Sequence, residues 1–245
     1  MLRALLIFLF VGVCGTGLAG AAELFEKDVI KTTTGDLEIT FIGHASLMLK
    51  FGGKIMYVDP FSRLADYAKL PKADMVFLTH EHQDHFDQVA LQNITTAKTV
   101  VVLTEKCAEK LPGGIIMRNG DVRKVEGIKV EAVPAYNIVH KRDNGQPYHH
   151  KGSGNGYVLT IADKRIYIAG DTENIPEMSH LKRIDIAFLP MNLPYTMTPE
   201  MVADAARSFR PKVLYPYHYG ETDPARIVAL LKESHDIEVR IRRMK

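Results

Sequence analysis

The stretch "FLTHEHQDHF", residues 77–86, puts His80, His82 and His85 together with Asp84 inside six consecutive positions of a 245-residue chain that has ten histidines. Imidazole nitrogens and carboxylate oxygens are the donors that zinc, iron or manganese favour. At such frequencies, His-x-His-x-Asp-His arises by chance in about one chain of this length in a thousand, so a solvated polar loop is the weaker explanation. His80 and His82, two apart, point the same way from an extended segment, whereas Asp84 and His85 fall in the turn leading to a helix expected near Phe86. The first pair suits one ion and the second pair another.

Such a site needs elements that bring further ligands to it. "MVFLT" before His80 is a buried-strand pattern, so the histidine cluster lies in the loop at that strand's carboxyl end. Two more apolar strands run into ligand-type residues. "RIYIAGDTE" reaches Asp171 after Gly170, where an Asp turn or helix cap is the alternative role, and "VLYPYHYG" reaches His218, which alone would read as a half-buried structural histidine.

The remaining pattern alternates β and α without repeats. Strands are predicted at "LEITFI", "SLMLKF", "KIMYVD", "TVVVLT", "IKVEAVPA", "YVLTIA", "DIAFLP" and "IEVRI" in addition to those above, the first three forming antiparallel hairpins around Gly52-Gly53. Helices are predicted after Thr198-Pro199 and after Asp223-Pro224. The architecture expected is α/β and layered, with mixed sheets inside and helices outside. Asn137 to Gly156 is the one long irregular segment.

With "FIGHASLMLKFGGKIMYVDPF", "LTHEHQDHFD", "YIAGDTE" and "YPYHYG" in this order between residues 41 and 220, the chain resembles the metallo-β-lactamase-fold hydrolase superfamily, and within it the small metal-dependent hydrolases related to ascorbate-6-phosphate lactonase. The resemblance implies a single-domain αββα sandwich with two divalent ions, zinc first among zinc, manganese and iron. It implies that His80 and His82 hold one ion, that Asp84, His85 and His218 hold the other, and that Asp171 bridges them. Asp59 would support the site from behind the ligands, and His44 would lie near the cleft or structure its loop.

One departure matters. The family places a third histidine for the first ion after the strand that here reads "IKVEAVPAYN", where this chain has Tyr136 and Asn137. The long loop offers His140, His149 and His150, with the Asn137 amide oxygen as a weak alternative. Relatives place a histidine before a lysine and a glycine-rich run, as in "YHHKGSGNGY", which favours His149. His180 and His235 fall in polar helical contexts and are expected to be solvated.

The remaining composition bounds function. Hydrophobic residues at 46% and charged residues at 24% give material for one sizeable core, and 31 basic against 29 acidic residues leave a net charge of +2. A nucleic-acid groove is unsupported, and the terminal "RIRRMK" reads as a solvated end. Residues 1–22 carry Arg3, an apolar run from Ala4 to Val13 and small residues at Ala19-Gly20-Ala21, the pattern of a secretory signal rather than a membrane span. Lipidation of Cys14 is disfavoured by Val13 before it. Removing that segment leaves residues 23–245 as one domain, periplasmic or secreted, with no stable membrane insertion and Cys107 as its one cysteine.

Two dications lower the pKa of a shared water and polarise the electrophile, so hydrolysis needs no side-chain nucleophile. No Gly-x-Ser-x-Gly motif occurs. Asp84 could accept the attacking water's proton, and Tyr136 and Tyr195 are candidates to hydrogen-bond a small-molecule substrate. The expected activity is hydrolysis of a small ester, lactone or phosphodiester. The rival is a metal-binding or sensing protein that kept the fold and lost the first ion site.

Overall fold

A computed structural model describes residues 25–245; the expected leader, residues 1–22, lies outside the described residues. Fourteen strands among them form two sheets of seven. The first contains, in spatial order, β1 (Glu26–Thr32), β2 (Gly35–Gly43), β3 (Ser46–Phe51), β4 (Lys54–Val58), β5 (Met75–Phe77), β6 (Val100–Leu103) and β7 (Ile115–Ile116). The second runs from β8 (Val122–Val125) through β9 (Ile128–Ala135), β10 (Gly154–Ile161), β11 (Lys164–Ile168), β12 (Ile186–Pro190) and β13 (Val213–Tyr217) to β14 (Glu238–Val239).

Strand alternation explains the layering. In the first sheet Leu37, Ile39, Phe41, Leu47, Leu49, Met56, Val58, Met75 and Phe77 point into the core shared with the second sheet. Their neighbours Ile42, Met48, Tyr57, Val76 and Leu78 point outward and are covered by Ala90, Leu91 and Ile94 of α1 (Gln88–Ile94) and Cys107 of α2 (Glu105–Lys110). On the second sheet, Val202, Ala203, Ala206 and Phe209 of α3 (Pro199–Phe209), with Ile227 and Leu231 of α4 (Ala225–Leu231), join the main apolar cluster. The expected αββα sandwich is the one observed.

The expected hairpins are present, since β2, β3 and β4 pair antiparallel. From β4 to β7 and from β11 to β14 the pairing is parallel, so within each sheet these strands end on one side, and His85 beyond β5 meets Asp171 beyond β11 at 3.4 Å, which puts the two ends together. Polar residues placed just beyond those carboxyl ends can therefore converge.

Local signals set most boundaries. Thr198 caps α3 by accepting from the Met201 amide, as its position before Pro199 predicts. Asp223 accepts from the Ala225 amide at 2.9 Å at the start of α4. The helix expected near Phe86 instead begins at Gln88, because Asp87 accepts from the amides of Val89 and Ala90 and fixes the start there. The long loop is also shorter than expected, as Gly154 to Gly156 already belong to β10.

The terminal segment is not the solvated end that its charges suggest. Arg242 pairs with Asp28 of β1 at 2.7 Å, Met244 is fully buried, and the Tyr219 and His44 amides donate to the carbonyls of Met244 and Lys245 at 3.3 and 3.2 Å. The tail thus fastens an edge strand and the loop that carries His44.

Candidate metal centre

Asp59, the residue after β4, organises the centre from below. One carboxylate oxygen accepts from the Thr79 amide at 2.8 Å, and the other accepts from the Thr79 hydroxyl at 2.6 Å and from His85 Nδ1 at 2.8 Å. The Thr79 hydroxyl has one hydrogen, which goes to Asp59. It must therefore accept from His80 Nδ1, 3.0 Å away, and this leaves the His80 lone pair on Nε2. The same reasoning leaves the His85 lone pair on Nε2. One fully buried carboxylate thereby fixes the tautomers of two histidines from the adjoining loop.

The other ligand candidates arrive on the second sheet. Asp171 follows β11 after Gly170, whose φ of +66° and approach to its surroundings both require glycine. A Cβ there would lie 2.8 Å from the Asn155 carbonyl oxygen and 3.1 Å from Thr79 Cβ. His218 follows β13 with φ +45°, and His44 and Asp59 also hold positive φ values of 50° and 42°. Three non-glycine residues in the left-handed region within one site mark backbone strain gathered where side chains must be aimed.

These residues form contiguous groups. His80 Nε2, His82 Nδ1 and His149 Nε2 converge, with His82 Nδ1 at 3.1 Å from the first and 3.3 Å from the last. His44, Asp84, His85 and His218 form a second cluster, in which Asp84 Oδ2 lies 3.7 Å from His85 Nε2, 3.8 Å from His218 Nε2 and 3.0 Å from His44 Nε2. Asp171 stands between them: Oδ2 is 3.4 Å from both His149 Nε2 and His218 Nε2, and Oδ1 is 3.4 Å from His85 Nε2. All seven residues singled out as ligands are brought together.

His149, rather than His140 or His150, occupies the third position of the first group. Asn137 holds it there and does not itself face the group, because its amide oxygen accepts from both His149 Nδ1 at 2.7 Å and the His149 amide at 3.0 Å. Asn137 Nδ2 donates to Glu173 and to the Tyr195 carbonyl, which fixes which end of the amide faces His149. His140 Nδ1 sits 2.8 Å from Glu173, and His150 is exposed. His180 and His235 are exposed as expected.

Glu173 was not foreseen. Its buried carboxylate accepts the amides of Ile138, Val139 and His140 at 2.6 to 2.7 Å, and so shapes the loop start that presents Asn137. Burial opposes its charge, yet these donors hold its pKa below the ordinary value. Its one sequence signal is its place directly after "GDT". Tyr136 differs from its expected role, since its hydroxyl is engaged by Glu177 at 3.0 Å; Tyr195 remains exposed near the cleft.

Electrostatics suit a cation. Burial, then the neighbouring imidazoles, keep His80 and His218 well below the usual histidine range, and burial lowers His149 to about 3, so their nitrogens stay neutral and available. Burial also raises Asp171 to about 6. His85 behaves in the opposite way: burial disfavours its charge, but Asp171 and Asp59 outweigh it and push the pKa up to about 10. A positive charge is wanted at that point. His85 Nε2, Asp171 Oδ1 and His218 Nε2 are buried and lack a well-aligned hydrogen-bond partner, the condition that a coordinated cation would relieve. The donor set of histidine nitrogens and carboxylate oxygens fits one.

Residues 38–218 match the β-lactamase superfamily domain. The chain belongs to this family. It is 32% identical over 84% of its length to a UPF0173 metal-dependent hydrolase of Pelotomaculum thermopropionicum, covering 96% of that relative. Among solved structures it matches one described as a metal-dependent hydrolase from Parabacteroides distasonis with a TM-score of 0.87 and 49% identity, over 91% of this chain and 100% of the other. Igni18, a metallo hydrolase of Ignicoccus hospitalis, shares the fold at a TM-score of 0.70 and 24% identity, over 85% and 96% of the two chains. The protein is a metal-dependent hydrolase of the metallo-β-lactamase fold.

Proposed function

We propose that the protein hydrolyses a small ester, lactone or phosphodiester at a centre of two divalent ions, zinc first among the metals (zinc, manganese, iron) that the donor set suits. The observation that carries this reading is the central position of Asp171, with one oxygen toward His85 and the other toward His149 and His218. His80, His82 and His149 would hold one ion, Asp84, His85 and His218 the other, and Asp171 would join the two groups. When bound, such a pair supplies a nucleophilic water at neutral pH and polarises the electrophile.

The chain's own residues do the positioning. Asp59 and Asn137 keep the Nε2 atoms of His80, His85 and His149 aimed inward, directly or through Thr79. Asp84 is the most accessible carboxylate of the set, with 40% of its side chain exposed, and is placed to accept the attacking water's proton. His44 anchors it at 3.0 Å while its ring lies 3.8 Å from that of His218. A cavity of about 130 Å³ beside His80, His82, His149 and Asp171 has room for a small reacting group.

The test is an assay of purified, zinc-loaded residues 23–245 against ester, lactone and phosphodiester panels. Turnover of at least one class, abolished by a chelator and restored by zinc, supports the proposal; no turnover on any panel contradicts it. Export is also proposed, on the leader pattern of residues 1–22. Amino-terminal sequencing of protein from the periplasm or medium should then begin at Ala22 or Glu23, and a Met1 start in the mature protein would contradict it.

A further inference from the structure

We propose that Arg142 is an anion clamp in this cleft, and that the substrate carries a carboxylate or phosphate group in addition to the bond that is cut. The inference rests on the hydrolase reading and narrows its substrate class. Arg142 lines the same cavity as His80, His82, His149 and Asp171. It belongs to the loop that supplies Asn137 and His149, and its backbone is fixed there. The Arg142 amide donates to the Gln146 carbonyl at 2.8 Å, the Gly145 amide returns to the Arg142 carbonyl at 2.8 Å, and Lys141 bridges to Pro147.

The guanidinium is held as well. It lies over the Tyr148 ring, 5.0 Å from the centroid, and donates to the Tyr148 carbonyl at 3.4 Å. Tyr148 in turn meets Tyr195 edge to face at 5.1 Å. An arginine propped on an aromatic face loses little freedom when an anion arrives, and its fork presents two parallel N–H groups to a carboxylate or phosphate.

Charge pairing separates Arg142 from the other cations around the opening. Lys106 is neutralised by Glu81 at 3.1 Å, Lys151 by Glu177 at 2.7 Å, and Arg118 by Glu105. Arg142 has no carboxylate within ion-pair distance among the described residues. Its charge instead borders the cavity that His82 and His149 also line. Like charges beside a site meant for cations would be a burden unless a substrate anion came between them. The cavity measures about 130 Å³ and is lined by Arg142 together with the ligand candidates, so that anion lies close to the scissile bond.

The test compares matched 4-nitrophenyl esters, a pentanoate and its analogues ending in carboxylate (mono-glutarate) or phosphonate, with the parent, Arg142→Gln and Arg142→Lys. The parent should favour one or both charged esters. Arg142→Gln should raise KM for them about ten- to a hundredfold and leave the neutral ester within about twofold, with Arg142→Lys in between. Whichever charged ester suffers more identifies the anion. Equal loss on neutral and charged esters, or no loss on either, overturns the clamp. Should the parent cut none of them, the hydrolase reading is judged separately on the lactone and phosphodiester panels, and calorimetry with glutarate and inorganic phosphate on zinc-loaded protein decides the clamp. Binding about tenfold weaker in Arg142→Gln supports the clamp, and equal affinity or no binding to the parent overturns it.

Discussion

Asn137 Oδ1 lies 2.7 Å from His149 Nδ1, so the residue standing where the family places a histidine holds the histidine proposed to take its place. On that proposal the ligand stands twelve positions further along the chain, and the turn at Asn137 becomes its support. Removing that support leaves the His149 ring free to choose tautomer and rotamer. Asn137→Ala is therefore expected to weaken the first ion about 10- to 100-fold while the second is retained, as read by competitive zinc titration with a chromophoric chelator. Equal affinity in parent and variant would show that Asn137 does not orient the ligand.

Glu173 makes a separate prediction. Replacing one of its oxygens by an amide NH₂ sets a donor against the amides of Ile138, Val139 and His140, which costs about 1–3 kcal/mol if a donor is left unpaired. Glu173→Gln should speed hydrogen exchange at those three amides more than in the sheets, and should carry Asn137 with it because Asn137 Nδ2 also donates to Glu173. Unchanged protection in the loop would contradict that role.

Gly170 is constrained by space as well as by φ. Gly170→Ala should destabilise the fold by at least about 1–3 kcal/mol in urea unfolding, since the backbone of Asn155 cannot yield as a flexible side chain would. A stability within experimental error of the parent would mean that the turn relaxes freely.

Acid stability tests the tail. Burial opposes the charge of Asp28, but the Tyr215 hydroxyl and the Arg242 guanidinium more than offset it and lower the pKa below 3.8. A carboxylate with a depressed folded-state pKa stabilises the fold fully above its unfolded value, and that contribution disappears as pH falls through the folded value. Asp28→Asn should thus lower stability at neutral pH, with the gap to the parent closing below about pH 4. A gap of constant size down to pH 2 would place the effect in packing instead.

The parts legible in the sequence share one property, continuity along the chain. His80, His82, Asp84 and His85 sit in one run after an apolar strand, and Asp171 and His218 each close a strand pattern, so one local rule reached them all. Apolar alternation likewise exposed β2 to β6. It failed for β1, "EKDVIKT", an edge strand with one face in solvent, for β8, "VRKV", whose first three residues are exposed, and for the two-residue β7. His149 lies in a loop without periodicity, and residue types alone left it equal to His140 and His150 until the family pattern favoured it. Glu173 and Arg142 look like ordinary charged residues in sequence. Their roles come from contacts with residues 33 to 36 positions away and with an aromatic face six positions on, which no local pattern encodes.

Metal content of the mature protein by mass spectrometry, measured beside His149→Ala, tests the two-ion centre most directly. Close to two equivalents are expected in the parent, falling toward one in the variant. About one equivalent in both would contradict it, placing His149 outside the centre and leaving Asp171 with one ion to hold.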